Sequence, residues 1–207
     1  MSGSVTLWRI GVDAPDFEAH ELSGTGAEGS GGRWNRAGTP MVYASTTRAL
    51  ACLETMVHLA KHPLPLNRYL VRATAPDAAW SAAIELNPKE LAGWDAEPAG
   101  KTSLDWGTNW AASGASLLAR VPSIMVPEEF NVLVNSAHPA IGTVRAEKVR
   151  KWLYDARLMP SVKVSRNSRA SRLVRTSSRP TPESPVPPAL QAARGIAASR
   201  GNTARPE

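Results

Sequence analysis

Cysteine is nearly missing from this chain of 207 residues, where Cys52 stands alone. No internal disulfide can form and no cysteine-built metal site is available, a usage that fits a reducing compartment. Long apolar runs are missing as well. The longest mostly apolar stretch, Ala49 to Ala60, contains Glu54 and His58 and falls well short of the roughly 20 residues that span a bilayer. Met1-Ser2-Gly3-Ser4-Val5 shows no basic segment leading into an apolar one, so no signal peptide is expected. These absences predict a soluble cytoplasmic protein with no membrane partner. The four histidines, His20, His58, His62 and His138, lack metal-ligand spacing, so no metal is expected. Ser123 has no Gly-x-Ser-x-Gly elbow around it, which leaves a hydrolase-type nucleophile unsupported. No internal repeat occurs.

What is present divides the chain in two. Of 24 basic and 18 acidic residues, nine basic and two acidic lie in 161–207, a net of +7; residues 1–160 keep 15 basic against 16 acidic, a net of −1. The basic character therefore belongs to the tail. That tail is rich in Pro, Ser and Arg, and no aromatic residue occurs after Tyr154. A segment so poor in large apolar groups cannot offset its ordering entropy by burial, so 161–207 is expected to be largely disordered. Residues 1–160 hold all seven Trp and are expected to form one globular domain.

Within that body, Val5–Ile10 alternates as a first strand and Met41–Ala44 reads as a short one, with Tyr69–Ala73 as another. Residues 23–40 form a long Gly-rich connection, the kind that is often functional inside a compact domain. Ser45 or Thr46 offers an N-cap for a helix to about Leu59, with apolar positions 49, 50, 53, 56, 57 and 60 at helical spacing. Residues 76–108 predict irregular structure, and a helix is expected from about Thr108 to Arg120. Ser123–Val126 and Asn131–Asn135 read as a hairpin around Pro127-Glu-Glu-Phe130. Strands without regular βαβ alternation suggest an α+β body.

A few residues could carry chemistry. In Gly31-Gly32-Arg33-Trp34-Asn35 the glycines allow close approach to a ligand, the Arg offers a planar fork suited to a diphosphate, and the Trp could stack on a ring. The plain alternative is a turn with a solvated Arg and a core Trp. No helix opens directly after it as the dinucleotide Gly-x-Gly-x-x-Gly fingerprint requires. Glu54, one turn after Leu50, sits beside the apolar stripe, where a half-buried carboxylate can steady a cation or bind sugar hydroxyls; most helical Glu residues are simply solvated. Tyr43 ends a strand before that helix and either lines a pocket or packs in the core.

The order and spacing of these pieces say more than each alone. Leu7-Trp-Arg-Ile10, Leu22-Ser-Gly-Thr-Gly-Ala27, Gly31-Gly-Arg-Trp-Asn35 with Gly38 and Pro40, Val42-Tyr-Ala-Ser45 and Ala49–Leu59 closely resemble the RES domain. Val121-Pro-Ser123, Asn131-Val-Leu-Val-Asn135 with His138-Pro139, and Tyr154-Asp-Ala-Arg-Leu158 extend the resemblance, which spans about residues 5–160. It implies an ADP-ribosyltransferase-like fold of mixed sheets and packing helices, and a toxin of a type II toxin–antitoxin pair that depletes cellular NAD⁺ by hydrolysis or phosphorolysis of the nicotinamide–ribose bond. NAD⁺ is then substrate, with phosphate a candidate co-substrate and no tightly bound cofactor. The catalytic set it implies is Arg33, Glu54 and Ser123, with Arg33 on the diphosphate, Glu54 on the ribose and its developing charge, and Ser123 orienting rather than attacking. Tyr43, Trp34 and Asn135 are the expected substrate-binding residues. The partner it implies is an antitoxin with an Xre-like helix-turn-helix region, and a homodimer is one expected assembly. Glu28-Gly29-Ser30 departs from the bulkier residues common there in the family.

Three alternatives remain. A protein ADP-ribosyltransferase would use the same pocket with a different acceptor. A nucleic-acid-binding protein would work through nine basic tail residues, non-specifically and with strong salt dependence, although no aromatics are interleaved for stacking on bases. A catalytically dead homologue would only bind its antitoxin, which the retained Arg33, Glu54 and Ser123 argue against.

Overall fold

In the computed structural model, residues 3–57, 59 and 65–158 are described. The tail 161–207 and His58 lie outside them. The architecture is α+β: one mixed seven-stranded sheet carrying a few short helices. The strands are β1 (Ser4–Val12), β2 (Met41–Ser45), β3 (Arg68–Pro76), β4 (Ile84–Glu85), β5 (Leu118–Pro122), β6 (Phe130–Asn135) and β7 (Arg145–Lys151). They lie in the order β4-β5-β6-β2-β1-β3-β7, antiparallel throughout except for the parallel β4–β5 pair. The helices are α1 (Thr25–Ser30), α2 (Arg48–Met56), α3 (Asp77–Ser81) and α4 (Lys101–Ser113). None of the described helices is long and apolar enough to cross a membrane.

Strand alternation sorts the side chains onto two faces. Leu7, Val42, Ala44, Ala73, Leu118, Val132 and Val134 form one buried cluster. Their sequence neighbours Met41, Ala119, Val121 and Leu133 face the other way, against Trp34 and the Trp110 side of α4. On the same face, further along the sheet, Ile10 and Leu70 pack beneath Ala51 of α2. The second face is therefore roofed by two helices, and the polar residues that share its register, Tyr43 and Ser45 on β2 and Asn131 on β6, lie between them.

The boundaries differ from the sequence expectation in several places; α2, expected from a Ser45 or Thr46 cap to about Leu59, is capped by Thr47 and ends at Met56. The helix expected to run to Arg120 begins at Lys101 and ends at Ser113, because Gly114 adopts a left-handed φ of 60° and caps it. Leu118–Arg120 are released to build β5. The hairpin is offset accordingly: its first strand is Leu118–Pro122, and Ser123–Val126 belong to the connection. The Gly-rich connection 23–40 holds the short helix α1, entered through Gly24 at φ 74° with the backbone of Met41 so near that a Cβ would collide with it.

β1 and β2 share a single register pair, Trp8↔Ser45, and then diverge. Beyond that pair the gap between the strands opens into a cleft of about 150 Å³, bordered by Arg9, Glu21, Ser23, Thr25, Met41 and Tyr43.

Candidate active site

Glu54 reaches the site because α2 is started by Thr47, whose side chain accepts from the Leu50 N–H at 3.1 Å. Leu50 is buried, and Glu54, one turn on, leaves the same side of the helix toward the sheet. Its Oε1 accepts two hydrogen bonds, from the Ser123 hydroxyl at 2.7 Å and from the Asn131 amide at 2.6 Å. Both described hydrogen bonds fall on Oε1, which leaves Oε2 available to a ligand.

Ser123 is fully buried and its hydroxyl is saturated. The Met125 and Val126 N–H groups donate to Oγ at 3.0 and 3.1 Å, so the one hydroxyl proton goes to Glu54. An oxygen with both lone pairs engaged is a poor nucleophile, and the geometry gives Ser123 an orienting part. Asn131 is held from behind by the Ser45 hydroxyl, which donates to Oδ1 at 2.7 Å. The sequence marks Ser45 as a cap candidate and Asn131 as the start of a strand, both within the resembling motifs, but gives neither a place in the site; the register of β2 against β6 brings them together, Ser45 opposite Asn131.

Arg33 lies on the same face of the sheet, close enough to Tyr43 for its charge to act on that phenol. Its guanidinium is engaged: Nη1 donates to the carbonyls of Ala96 at 2.7 Å and Trp94 at 3.3 Å, and Nη2 pairs with Glu97 at 2.7 Å. Glu97 is largely exposed while Arg33 is mostly covered. Arg33 thus fastens the segment 94–97 and would meet a diphosphate only by exchanging the Glu97 carboxylate for it.

Tyr43 lines the cleft with its ring, but its hydroxyl belongs to the scaffold. It accepts from the Trp34 N–H at 3.0 Å and donates to Asn35 Oδ1 at 2.7 Å. Burial pushes the phenol well above its usual range, against the opposing effects of the Trp34 N–H and the Arg33 charge, so it stays protonated. Asn35, wholly buried, gives its amide to the carbonyls of Ala27, Arg36 and Thr39, tying the Gly-rich connection into one unit.

Two of the expected ligand contacts are turned inward. Trp34 is 2 % exposed, with its ring stacked on Trp94 and edge-on to Trp106. Asn135 is 1 % exposed, donates to Ala111 O at 2.8 Å and accepts from the Ala137 N–H at 3.0 Å. Both hold the roof of the sheet together and present nothing to a ligand in this conformation.

Sequence reasoning passed over Arg9, on the diverging part of β1. Burial first, and the Arg68 guanidinium second, lower its pKa to about 10, and it remains a cation at neutral pH. Its one described side-chain hydrogen bond is a long one, 3.4 Å to the carbonyl of Glu21, and among the described residues no carboxylate pairs with it. Arg9 is half-buried and lines the cleft together with Glu18 and Glu21, neither of which pairs with it. The signal was present in Leu7-Trp-Arg-Ile10, an Arg where strand alternation calls for an inward residue.

The RES domain family model matches residues 6–157. A "Prs ADP-ribosylating toxin" of Sphingobium sp. (strain YBL2) is 52 % identical over 157 residues, covering 75 % of this chain and 98 % of that protein. A "Toxin Res" of Pseudomonas putida is 36 % identical over 154 residues, 73 % of this chain and 98 % of the relative. Another "Toxin Res", from Yersinia enterocolitica, is 35 % identical over 144 residues, 69 % and 93 % respectively.

Proposed function

The chain belongs to the RES-domain family, and on that premise we propose that it is a toxin that consumes NAD⁺ at Glu54 and passes the ADP-ribose unit to a protein. The observation that carries the chemistry is the Glu54 carboxylate, fixed through Oε1 by Ser123 and Asn131 with Oε2 left over. In this reaction the C1′–N bond of nicotinamide riboside breaks, its electron pair stays on the departing nitrogen, and nicotinamide leaves neutral. Positive charge gathers on the ribose, and a preorganised anion beside C1′ stabilises that state more than the ground state. The acceptor oxygen or nitrogen then adds to C1′ and gives its proton to solvent.

Arg9 is assigned to the diphosphate, since it lines the strand gap and no carboxylate pairs with it among the described residues. The cleft of about 150 Å³ suits a phosphate or a ring rather than a whole dinucleotide, for which pockets of ~300 Å³ and more are usual, so the substrate extends over the rim past Tyr43 toward Glu54. Arg33 joins it if Glu97 yields. A protein acceptor is favoured by the relative at 52 % identity, named for ADP-ribosylating Prs, and Prs of the host cell is the candidate target. Hydrolysis and phosphorolysis share the bond-breaking step and differ only in what captures the sugar. The proposed setting is the cytoplasm, with a helix-turn-helix antitoxin holding the toxin silent.

The test is nicotinamide release from NAD⁺ by the purified chain, with labelled NAD⁺ and cell lysate in parallel. Transfer gives a labelled protein band; hydrolysis or phosphorolysis gives only small labelled products. Glu54→Ala should slow release by about 10²–10³, the usual loss for one transition-state electrostatic partner, with the fold intact by circular dichroism. Normal turnover by Glu54→Ala would end the assignment.

A further inference from the structure

Glu54 is held by more than the serine that the family's catalytic set supplies. We propose that Ser45 and Asn131 form a positioning relay that fixes the rotamer of Glu54 and so decides which carboxylate oxygen meets the substrate, an inference that rests on the function proposed above. The direction of the relay follows from donor and acceptor chemistry. An ionised Glu54 only accepts, so the group 2.6 Å from its Oε1 must be the Asn131 Nδ2 and not Oδ1. That orients Oδ1 the other way, to Ser45 at 2.7 Å, and Ser45 must donate. Ser45 is nearly inaccessible, so water cannot take over its part without local opening.

Ser123 alone would leave the carboxylate free to rotate about one hydrogen bond. Two donors arriving from adjacent strands, Ser123 just past the end of β5 and Asn131 on β6, define a plane and remove that freedom. Both satisfy the same oxygen, so Oε2 is the one presented. The relay touches no substrate atom and acts only through Glu54. Preorganisation of that kind appears in the chemical step more than in binding.

The experiment is steady-state nicotinamide release by wild-type protein, Asn131→Ala, Ser45→Ala and the double variant, with melting temperature and circular dichroism as controls of folding. Asn131→Ala should lower kcat by roughly 10–100-fold with KM within about threefold, and Ser45→Ala should lower it less. The double variant should be no slower than Asn131→Ala, since Ser45 has nothing left to act through, a coupling that independent structural defects would not show. Asn131→Asp adds a second readout. A carboxyl at position 131 can replace the amide donor only while protonated, so this variant should be active at low pH and fail as pH rises through the titration of the introduced carboxyl. Glu129 accepts from the Thr47 hydroxyl at 2.8 Å and is unchanged in every variant tested. A folded Asn131→Ala with wild-type kcat, or losses that multiply in the double variant, would overturn the relay. A wild-type chain that releases no nicotinamide and labels no protein would instead overturn the function on which it rests.

Discussion

The Gly32 Cα–H points at the most crowded polar group beside the cleft. A Cβ there would lie 2.6 Å from the Tyr43 hydroxyl oxygen and 2.9 Å from Asn35 Oδ1, so glycine is required by the approach of those two groups and not by its own backbone angles. The hydroxyl in turn satisfies a buried N–H of Trp34 and a buried oxygen of Asn35. Leaving such groups unpaired costs about 1–3 kcal/mol. Tyr43→Phe should therefore lower stability by that amount in denaturant unfolding while keeping the ring that lines the cleft, and nicotinamide release should stay within a few-fold of wild type. Gly32→Ala should cost a similar amount by displacing the hydroxyl. The two changes together should cost clearly less than their sum, because they break one network. If Tyr43→Phe instead abolished release with its stability unchanged, the hydroxyl would belong to the chemistry and not to the scaffold.

Helix α4 shows how an element is placed by what it omits. At Gly107 a Cβ would fall 1.9 Å from the carbonyl oxygen of Trp34, so the helix backbone lies directly on the Gly-rich connection. Trp106 and Trp110 flank that contact, stacked on each other at 6.5 Å, with Trp106 edge-on to Trp34 at 5.5 Å. Gly107→Ala gains helix propensity of about 1 kcal/mol, but the added methyl meets backbone that cannot swing aside. Overpacking of this kind costs ~1–3 kcal/mol or more, so the expected outcome is net destabilisation with loss of the near-ultraviolet tryptophan signal; a stabilised variant with an unchanged spectrum would show that helix and connection are not in contact. The sequence showed neither the contact nor the helix's extent. Alternation made β1, β2 and β3 legible, and helical spacing revealed α2, though its cap is Thr47 and not Ser45 or Thr46. β7 was missed because Arg145-Ala-Glu-Lys-Val-Arg-Lys151 is a charged edge strand with little to bury. Gly114 was readable as a helix stop, which would have placed β5 correctly. For the site, Glu54 and Ser123 were visible through chain order, and the structure brings them into direct contact. Asn131 and Arg9 depend on strand register and on the divergence of β1 from β2, neither of which short-range periodicity encodes. Trp34 and Asn135 looked available because a motif shows residue types without their burial.

At the scale of the whole chain, the family-matched body and the basic tail differ in composition. The family match ends at residue 157, and the Sphingobium and Pseudomonas relatives are covered to 98 % of their length by about three-quarters of this chain. Relatives named as toxins are thus matched over nearly their whole length by a part of this chain. Every residue assigned to NAD⁺ lies between Arg9 and Asn131, in a body whose formal charge is −1 against +7 for residues 161–207. A nearly neutral body gives no reason for attraction to nucleic acid, whereas nine cations in the tail can neutralise phosphates and release counter-ions. Ending the chain at residue 160 should thus leave kcat and KM for NAD⁺ within about twofold, while any retention of the full-length chain on DNA should be lost with the tail. In the full-length chain that retention should fall steeply between roughly 50 and 200 mM salt, as expected for binding through several phosphate contacts, and nicotinamide release measured across the same range should stay nearly flat. If release and DNA binding declined together with salt, or if the shortened chain were stable yet inactive, the tail would be part of the enzyme, and the charge division would mark a substrate-binding element rather than an accessory.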